Sequence, residues 1–103
     1  MKVATDEEGF LKNLSDWSES VAADLAHQED INLTPDHWDV INIVRDYYAN
    51  HHISPATRVL VNIIRGKLGA EKGRSIYLMK LFSGKPLKLV AKIAGLPKPS
   101  NCE

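Results

Sequence analysis

Only one cysteine, Cys102, stands in this chain of 103 residues, and with no second thiol to pair with, no internal disulfide can form. Long apolar runs are also missing: none approaches the roughly 20 residues that span a bilayer. The opening segment, Met1 to Glu8, lacks the apolar stretch of a secretory signal. The expectation is therefore a cytoplasmic protein, in a reducing compartment where an unpaired thiol stays chemically available. Net charge is absent as well, because 13 basic and 13 acidic side chains cancel to +0, which counts against a protein held to nucleic acid by bulk charge. Internal repeats, low-complexity tracts and interior linkers are not found. What is present, 44% apolar and 25% charged residues, suits one globular domain with a single core that needs neither metal nor cofactor to fold.

The charges that cancel overall are segregated along the chain. Residues 1–50 carry 11 acids and 3 bases, a balance of minus 8, whereas residues 51–103 carry 10 bases and 2 acids, a balance of plus 8. Such asymmetry can steer an acidic partner, or it can hold two halves of one domain together.

Lys2 to Thr5 and Phe10 to Asn13 flank Asp6-Glu7-Glu8-Gly9, which predicts a short N-terminal β-hairpin turning at Gly9. Ser15 to Ser18 offers capping side chains ahead of Val21, Ala22, Leu25 and Ala26, whose spacing predicts a helix over about 18–28. Thr34-Pro35 is a capping hydroxyl followed by proline at the first helical position, and Trp38, Ile41, Val44, Arg45 and Tyr48 follow at helical steps, predicting a second helix over about 35–50. Ser54-Pro55 repeats this grammar for a third helix with Val59, Leu60, Ile63, Ile64 and Leu68 as its stripe, ended by Gly69. A fourth is expected over 71–82 and a fifth from Pro86 to about Ile93. The fold class is therefore mainly α: a small orthogonal bundle of about five helices with the N-terminal hairpin and an extended C-terminal arm. The helical domain covers 1–94 and the arm 95–103.

Gly95 stops helical structure, and Pro97 and Pro99 bias their neighbours toward extended geometry. Fully extended, the stretch from Gly95 to Cys102 reaches at most roughly 25 to 28 Å, enough to enter a cleft on another protein. A thiol at the tip of such an arm is suited to delivery. Glu103 and the terminal carboxylate should disfavour the thiolate that does the chemistry, so reactivity is expected to rise inside a partner that supplies cations, with minor help from Lys98 and Lys92. Arg58, Arg65, Lys80, Lys85 and Lys88 are candidates for a docking face.

Other constellations carry less. His51-His52 has no matched second pair for a metal site. His37 suits a solvent-facing or hydrogen-bonded role better than that of a base for Cys102. A Cys-His hydrolase would need fixed oxyanion donors around the thiol. Trp17, Trp38, Tyr47, Tyr48 and Tyr77 are core or near-core anchors. From a different class, the second and third helices resemble a helix-turn-helix that could present Thr57, Arg58, Asn62 and Arg65 to a nucleic-acid groove, against which stand the zero net charge and the acidic second helix.

Taken together, Asp6-Glu7-Glu8-Gly9-Phe10-Leu11, Trp17, Leu33-Thr34-Pro35-Asp36-His37-Trp38, Val44-Arg45-Asp46-Tyr47-Tyr48, Ser54-Pro55-Ala56-Thr57-Arg58 and Ala94-Gly95-Leu96-Pro97-Lys98-Pro99 with a penultimate cysteine resemble the DsrC/TusE family of sulfur carriers over nearly the whole chain. The resemblance implies a small helical fold with a hairpin and a C-terminal arm, and a persulfide carried on Cys102. Its sulfite-reductase branch, in which the protein is a DsrC-like gamma subunit, has a second cysteine eleven positions before the terminal one; here that position is Ala91. The single-cysteine, TusE-like branch is the better match. It implies a sulfurtransferase of a sulfur relay, without small-molecule turnover of its own. In that branch the terminal cysteine takes sulfur from a TusBCD-like donor complex and hands it to an MnmA-like tRNA thiolation enzyme for 2-thiouridine at the wobble position. Neither cofactor nor membrane contact is implied.

Overall fold

The structure is a computed structural model and describes residues 3–99. Five α-helices follow a single 3-10 turn at Leu14–Asp16: α1 Glu19–Gln28, α2 Pro35–His51, α3 Thr57–Leu68, α4 Ser75–Phe82 and α5 Pro86–Ile93. The first two helices carry their expected caps. The Ser18 hydroxyl accepts the Val21 N–H at the head of α1. At α2, Thr34 and His37 form a reciprocal capping box ahead of Pro35.

One of the two shortest helices sits at the centre of the packing. Although α5 has 8 residues, six of them (Pro86, Leu87, Val90, Ala91, Lys92 and Ile93) are buried, and the helix packs on α1, α2 and α4. A helix apolar on nearly every side is stable only when surrounded, so α5 becomes the post around which the longer helices are laid. Leu25, Ile41, Val44, Leu60, Ile64, Leu78, Phe82, Val90 and Ile93 fill the space between them.

The N-terminal β-hairpin expected from the sequence is not there. Among the described residues there is no strand, only an isolated antiparallel bridge between Thr5 and Leu11. Two local interactions prevent the ladder from growing. The Asp6 carboxylate gathers the N–H groups of Glu8 at 2.8 Å and Phe10 at 3.0 Å, closing a compact turn. Beyond the bridge, the Asn13 side chain accepts the Ser15 N–H and starts the 3-10 turn. Phe10 and Leu11 are both buried, which breaks the in-out alternation of a strand edge. The turn itself is as expected, with Gly9 at φ +91°.

Two helix starts also differ. The third helix begins at Thr57 rather than Pro55, since Pro55 is buried and the Ser54 hydroxyl is engaged elsewhere. The fourth begins at Ser75 rather than Glu71, because 69–73 form a turn closed by the Gly73 N–H on the Gly69 carbonyl at 3.0 Å. Gly73 packs so tightly on Arg65 that a Cβ there would lie 2.3 Å from the Arg65 Cβ.

His37 is buried and joins two helices. Its Nδ1 accepts the Thr34 backbone N–H at 3.1 Å, which leaves Nε2–H to donate to the Leu81 carbonyl at 2.8 Å at the end of α4. The segregated charges act inside the molecule: the four ion pairs among the described residues, Asp36–Lys72, Glu8–Lys88, Glu29–Lys92 and Glu8–Lys98, each join an acid of the first half to a base of the second.

Replacing His37 by Ala strands the Leu81 carbonyl and the Thr34 N–H in the interior. A destabilisation of about 2 to 3 kcal/mol, read as a lower midpoint in urea unfolding, is the expected result.

Candidate functional site

The site is built where α5 ends and the arm begins. The last turn of α5 closes by two reversed hydrogen bonds, Leu96 N–H to the Ala91 carbonyl at 2.9 Å and Gly95 N–H to the Lys92 carbonyl at 3.1 Å. This is a Schellman closure, with Gly95 at φ +75° and Leu96 returning to the core. It consumes the carbonyls of Ala91 and Lys92 but leaves those of Ile93 and Ala94 pointing outward. Two side chains from distant elements take them. Trp17 Nε1 donates to the Ile93 carbonyl at 2.9 Å, and Arg45 Nη1 donates to the Ala94 carbonyl at 2.7 Å.

Trp17 and Arg45 also hold each other, since the guanidinium carbon lies 3.6 Å from the centroid of the Trp17 ring. A cation at a helix C-terminus opposes the negative end of the helix dipole, and its stacking on an indole adds about 0.5 to 2 kcal/mol. Burial lowers the pKa of Arg45, which nonetheless stays charged at any physiological pH. Gly95 also packs against Trp17, where a Cβ would come within 2.3 Å of Cδ1. The arm thus leaves the domain through a slot that admits glycine alone.

Beyond Leu96, the described part of the arm lies along the surface. The Ser54 hydroxyl donates to the Pro97 carbonyl at 3.2 Å, and Lys98 Nζ meets Glu8 Oε1 at 2.9 Å. Glu8 also reaches Lys88 on α5 at 3.6 Å, so one carboxylate ties arm to helix. Both contacts hold its pKa below the ordinary 4.5, the hydrogen bond from Lys98 most strongly. Pro99 is buried at one end of a groove of about 210 Å³ lined by Tyr47, Ile53, Pro55, Val59 and Leu87.

Cys102, the candidate reactive residue, lies outside the described residues. Ala91 is fully buried in α5. Of the two lysines expected to assist the thiol, Lys98 is on the arm and engaged by Glu8, while Lys92 points into the domain and pairs with Glu29 at 3.0 Å, a structural role. Within the proposed docking face, Arg65 donates to the Gly73 carbonyl and Lys88 pairs with Glu8, whereas Arg58, Lys80 and Lys85 carry no ion pair among the described residues. His51 stacks on Tyr47 with centroids 4.3 Å apart, and His52 closes α2 in the left-handed region at φ +60°. No group of three metal-ligating side chains occurs among the described residues. Sequence reasoning placed Arg45 in an apolar stripe without asking why an arginine stood there; that oddity was the available signal for the clamp. Nothing local marked Glu8 or Ser54 as partners of the arm.

The fold is shared with known proteins. The family model described as "DsrC like protein" matches residues 1–103, and the chain belongs to that family. Relatives named Sulfurtransferase TusE are 52% identical in Photorhabdus laumondii and 50% identical in Escherichia coli K12, each over 98% of this chain and over 91% and 93% of their own. Among solved structures, DsrC of Allochromatium vinosum superposes with a TM-score of 0.88 at 50% identity, covering 98% of this chain and 90% of its own. The oxidised gamma subunit of the dissimilatory sulfite reductase of Archaeoglobus fulgidus gives 0.87 at 35% identity, covering 100% and 94%.

Two measurements check the site. Gly95→Ala forces both a left-handed non-glycine backbone and a clash with Trp17, and should destabilise the domain by at least about 2 kcal/mol in denaturant unfolding. Because the pKa of Glu8 lies below 4.5 when it holds Lys98, the contact persists above that pH and is lost as pH falls through the lowered value. The Lys98 ammonium contact should therefore weaken only as pH falls below 4.5, read from the ε-methylene NMR shifts of Lys98, and Glu8→Gln should remove this pH dependence.

Proposed function

We propose that this protein is a sulfur-relay sulfurtransferase that carries sulfur as a persulfide on Cys102. The observation that carries the proposal is near-50% identity, over almost the full chain, to proteins named as sulfurtransferases, joined to a single cysteine near the end of the arm. Identity alone does not choose the branch, since DsrC of Allochromatium vinosum is equally similar at 50%. Ala91 makes that choice. A sulfite-reductase partner working through two thiols needs its second cysteine at this position, and a methyl group stands there instead.

The chemistry needs no net oxidant. The Cys102 thiolate attacks the outer sulfur of a donor persulfide; the donor's S–S bond breaks as the new one forms, and the donor leaves as a thiolate. In the second half, the outer sulfur of the Cys102 persulfide is taken by an acceptor thiolate and Cys102 is regenerated. A TusBCD-like complex fits as donor and an MnmA-like tRNA thiolation enzyme as acceptor, which places the protein upstream of wobble 2-thiouridine. The clamped root divides the chain into a domain and a short arm, and the two prolines lower the entropy that the arm loses when a partner engages it.

Intact-mass spectrometry after incubation with a cysteine desulfurase and the donor complex should show a gain of about 32 Da, one sulfur, that a reductant removes and Cys102→Ser abolishes. No gain with a competent donor would sink the proposal. In the isolated protein, alkylation rate against pH should give a thiol pKa above about 7.5, as expected beside two carboxylates.

A further inference from the structure

The grooves on either side of Ile53 meet the described end of the arm, and their position constrains any partner. Ile53 is 60% exposed and Val59 37%, and the two line one groove together. Ile53 separates two grooves of about 210 Å³ each: one runs past Tyr47, Val59 and Leu87, the other past Tyr48, His52 and Pro97. Both end on Pro99.

Cys102 is three residues beyond Pro99. At about 3.3 to 3.6 Å per residue its Cα lies no more than roughly 10 Å from that of Pro99. While the arm root stays packed, a protein that exchanges sulfur with Cys102 must bring its reacting atom close to this ridge, and so must cover it. The charge around the grooves says what kind of surface can do so. Among the described residues, no acidic side chain lines either groove. Arg58 adjoins Val59, and Lys85 opens the turn leading to Leu87; both are exposed and neither has an ion pair among the described residues.

We infer that the Ile53 ridge with its two grooves is the docking surface for the protein partners of Cys102, and that it accepts an apolar side chain flanked by carboxylates. The inference rests on the carrier reading of Cys102. It assigns Ile53 as the apolar anchor, with Arg58 and Lys85 setting charge selectivity and on-rate.

The test uses the full chain and the purified donor complex and acceptor enzyme. Ile53→Glu changes an exposed residue and should leave folding intact. It is compared with Ile76→Glu, an equally conservative control because Ile76 on α4 is 56% exposed and lines neither groove. Ile53→Glu should weaken binding to at least one partner by about tenfold or more, while Ile76→Glu stays within about twofold of wild type. Arg58→Glu should lower the association rate and flatten its salt dependence. Loading of Cys102 by inorganic polysulfide, which needs no docking, should be unchanged in all three variants. Equal partner affinity in Ile53→Glu and wild type overturns the inference, even when polysulfide loads Cys102 normally. So does a wild-type dimer that becomes monomeric in Ile53→Glu, because the occupant would then be a second copy of the chain. Failure of polysulfide to load wild-type Cys102 would instead remove the carrier reading and the inference with it.

Discussion

A helix that ends against the core leaves its last carbonyls where water cannot easily reach them, and each needs a donor from somewhere else in the molecule. In α5 the chain's own reversal at Gly95 and Leu96 satisfies two of these groups. The other two are satisfied only because Trp17, ahead of α1, and Arg45, on α2, converge on the same point. Their stacking makes the pair a single unit. If the guanidinium is removed, the indole loses the cation that orients it and the Ala94 carbonyl loses its donor; if the indole is enlarged or shifted, Gly95 has no room. The direction in which the arm departs is therefore set by elements 76 and 49 residues away in sequence.

That distance explains what could be read from the sequence and what could not. Helix identity was legible because it depends on local signals: Thr34-Pro35 and Pro86 start helices, Ser18 caps one, and Gly69 and Gly95 end two. The hairpin failed for a reason equally local but opposed to the pattern. Asp6 and Asn13 bind nearby backbone N–H groups more readily than a two-stranded ladder of this length can, and so leave one bridge. The premature start given to α3 followed from a Ser-Pro pair that serves the arm, a long-range contact no window of sequence contains. At the site, the end of α5 at Gly95 was legible from its glycine and the prolines that follow, while Cys102 lies outside the described residues; the clamp was not legible, because an arginine and a tryptophan in two different parts of the chain signal each other only after folding.

Segregated charge is resolved in the same way. A balance of minus 8 against plus 8 could have been an external steering field, but the pairs that form run between the halves. Most lie at the surface, where ion pairs contribute little to stability. Lys92 with Glu29 is the exception in burial, its aliphatic stem packed beside Gly9 and its ammonium 5.7 Å from the Phe10 ring centroid. Arg58 on α3, Lys80 on α4 and Lys85 at the start of α5 are among the bases that form no ion pair among the described residues.

A sulfur carrier has two competing requirements. The sulfur must reach a partner, yet a persulfide exposed on a long free chain is open to any thiol that meets it. Packing the described part of the arm, as far as Pro99, against the domain trades reach for selectivity. Transfer then depends on the partner coming to the domain. It also depends on the partner supplying a positive environment for the thiolate. Ala91, buried inside α5, puts a methyl group where a second thiol would stand, so a Cys102 persulfide of the kind proposed above has no internal thiol to discharge it and its sulfur would leave only by intermolecular exchange.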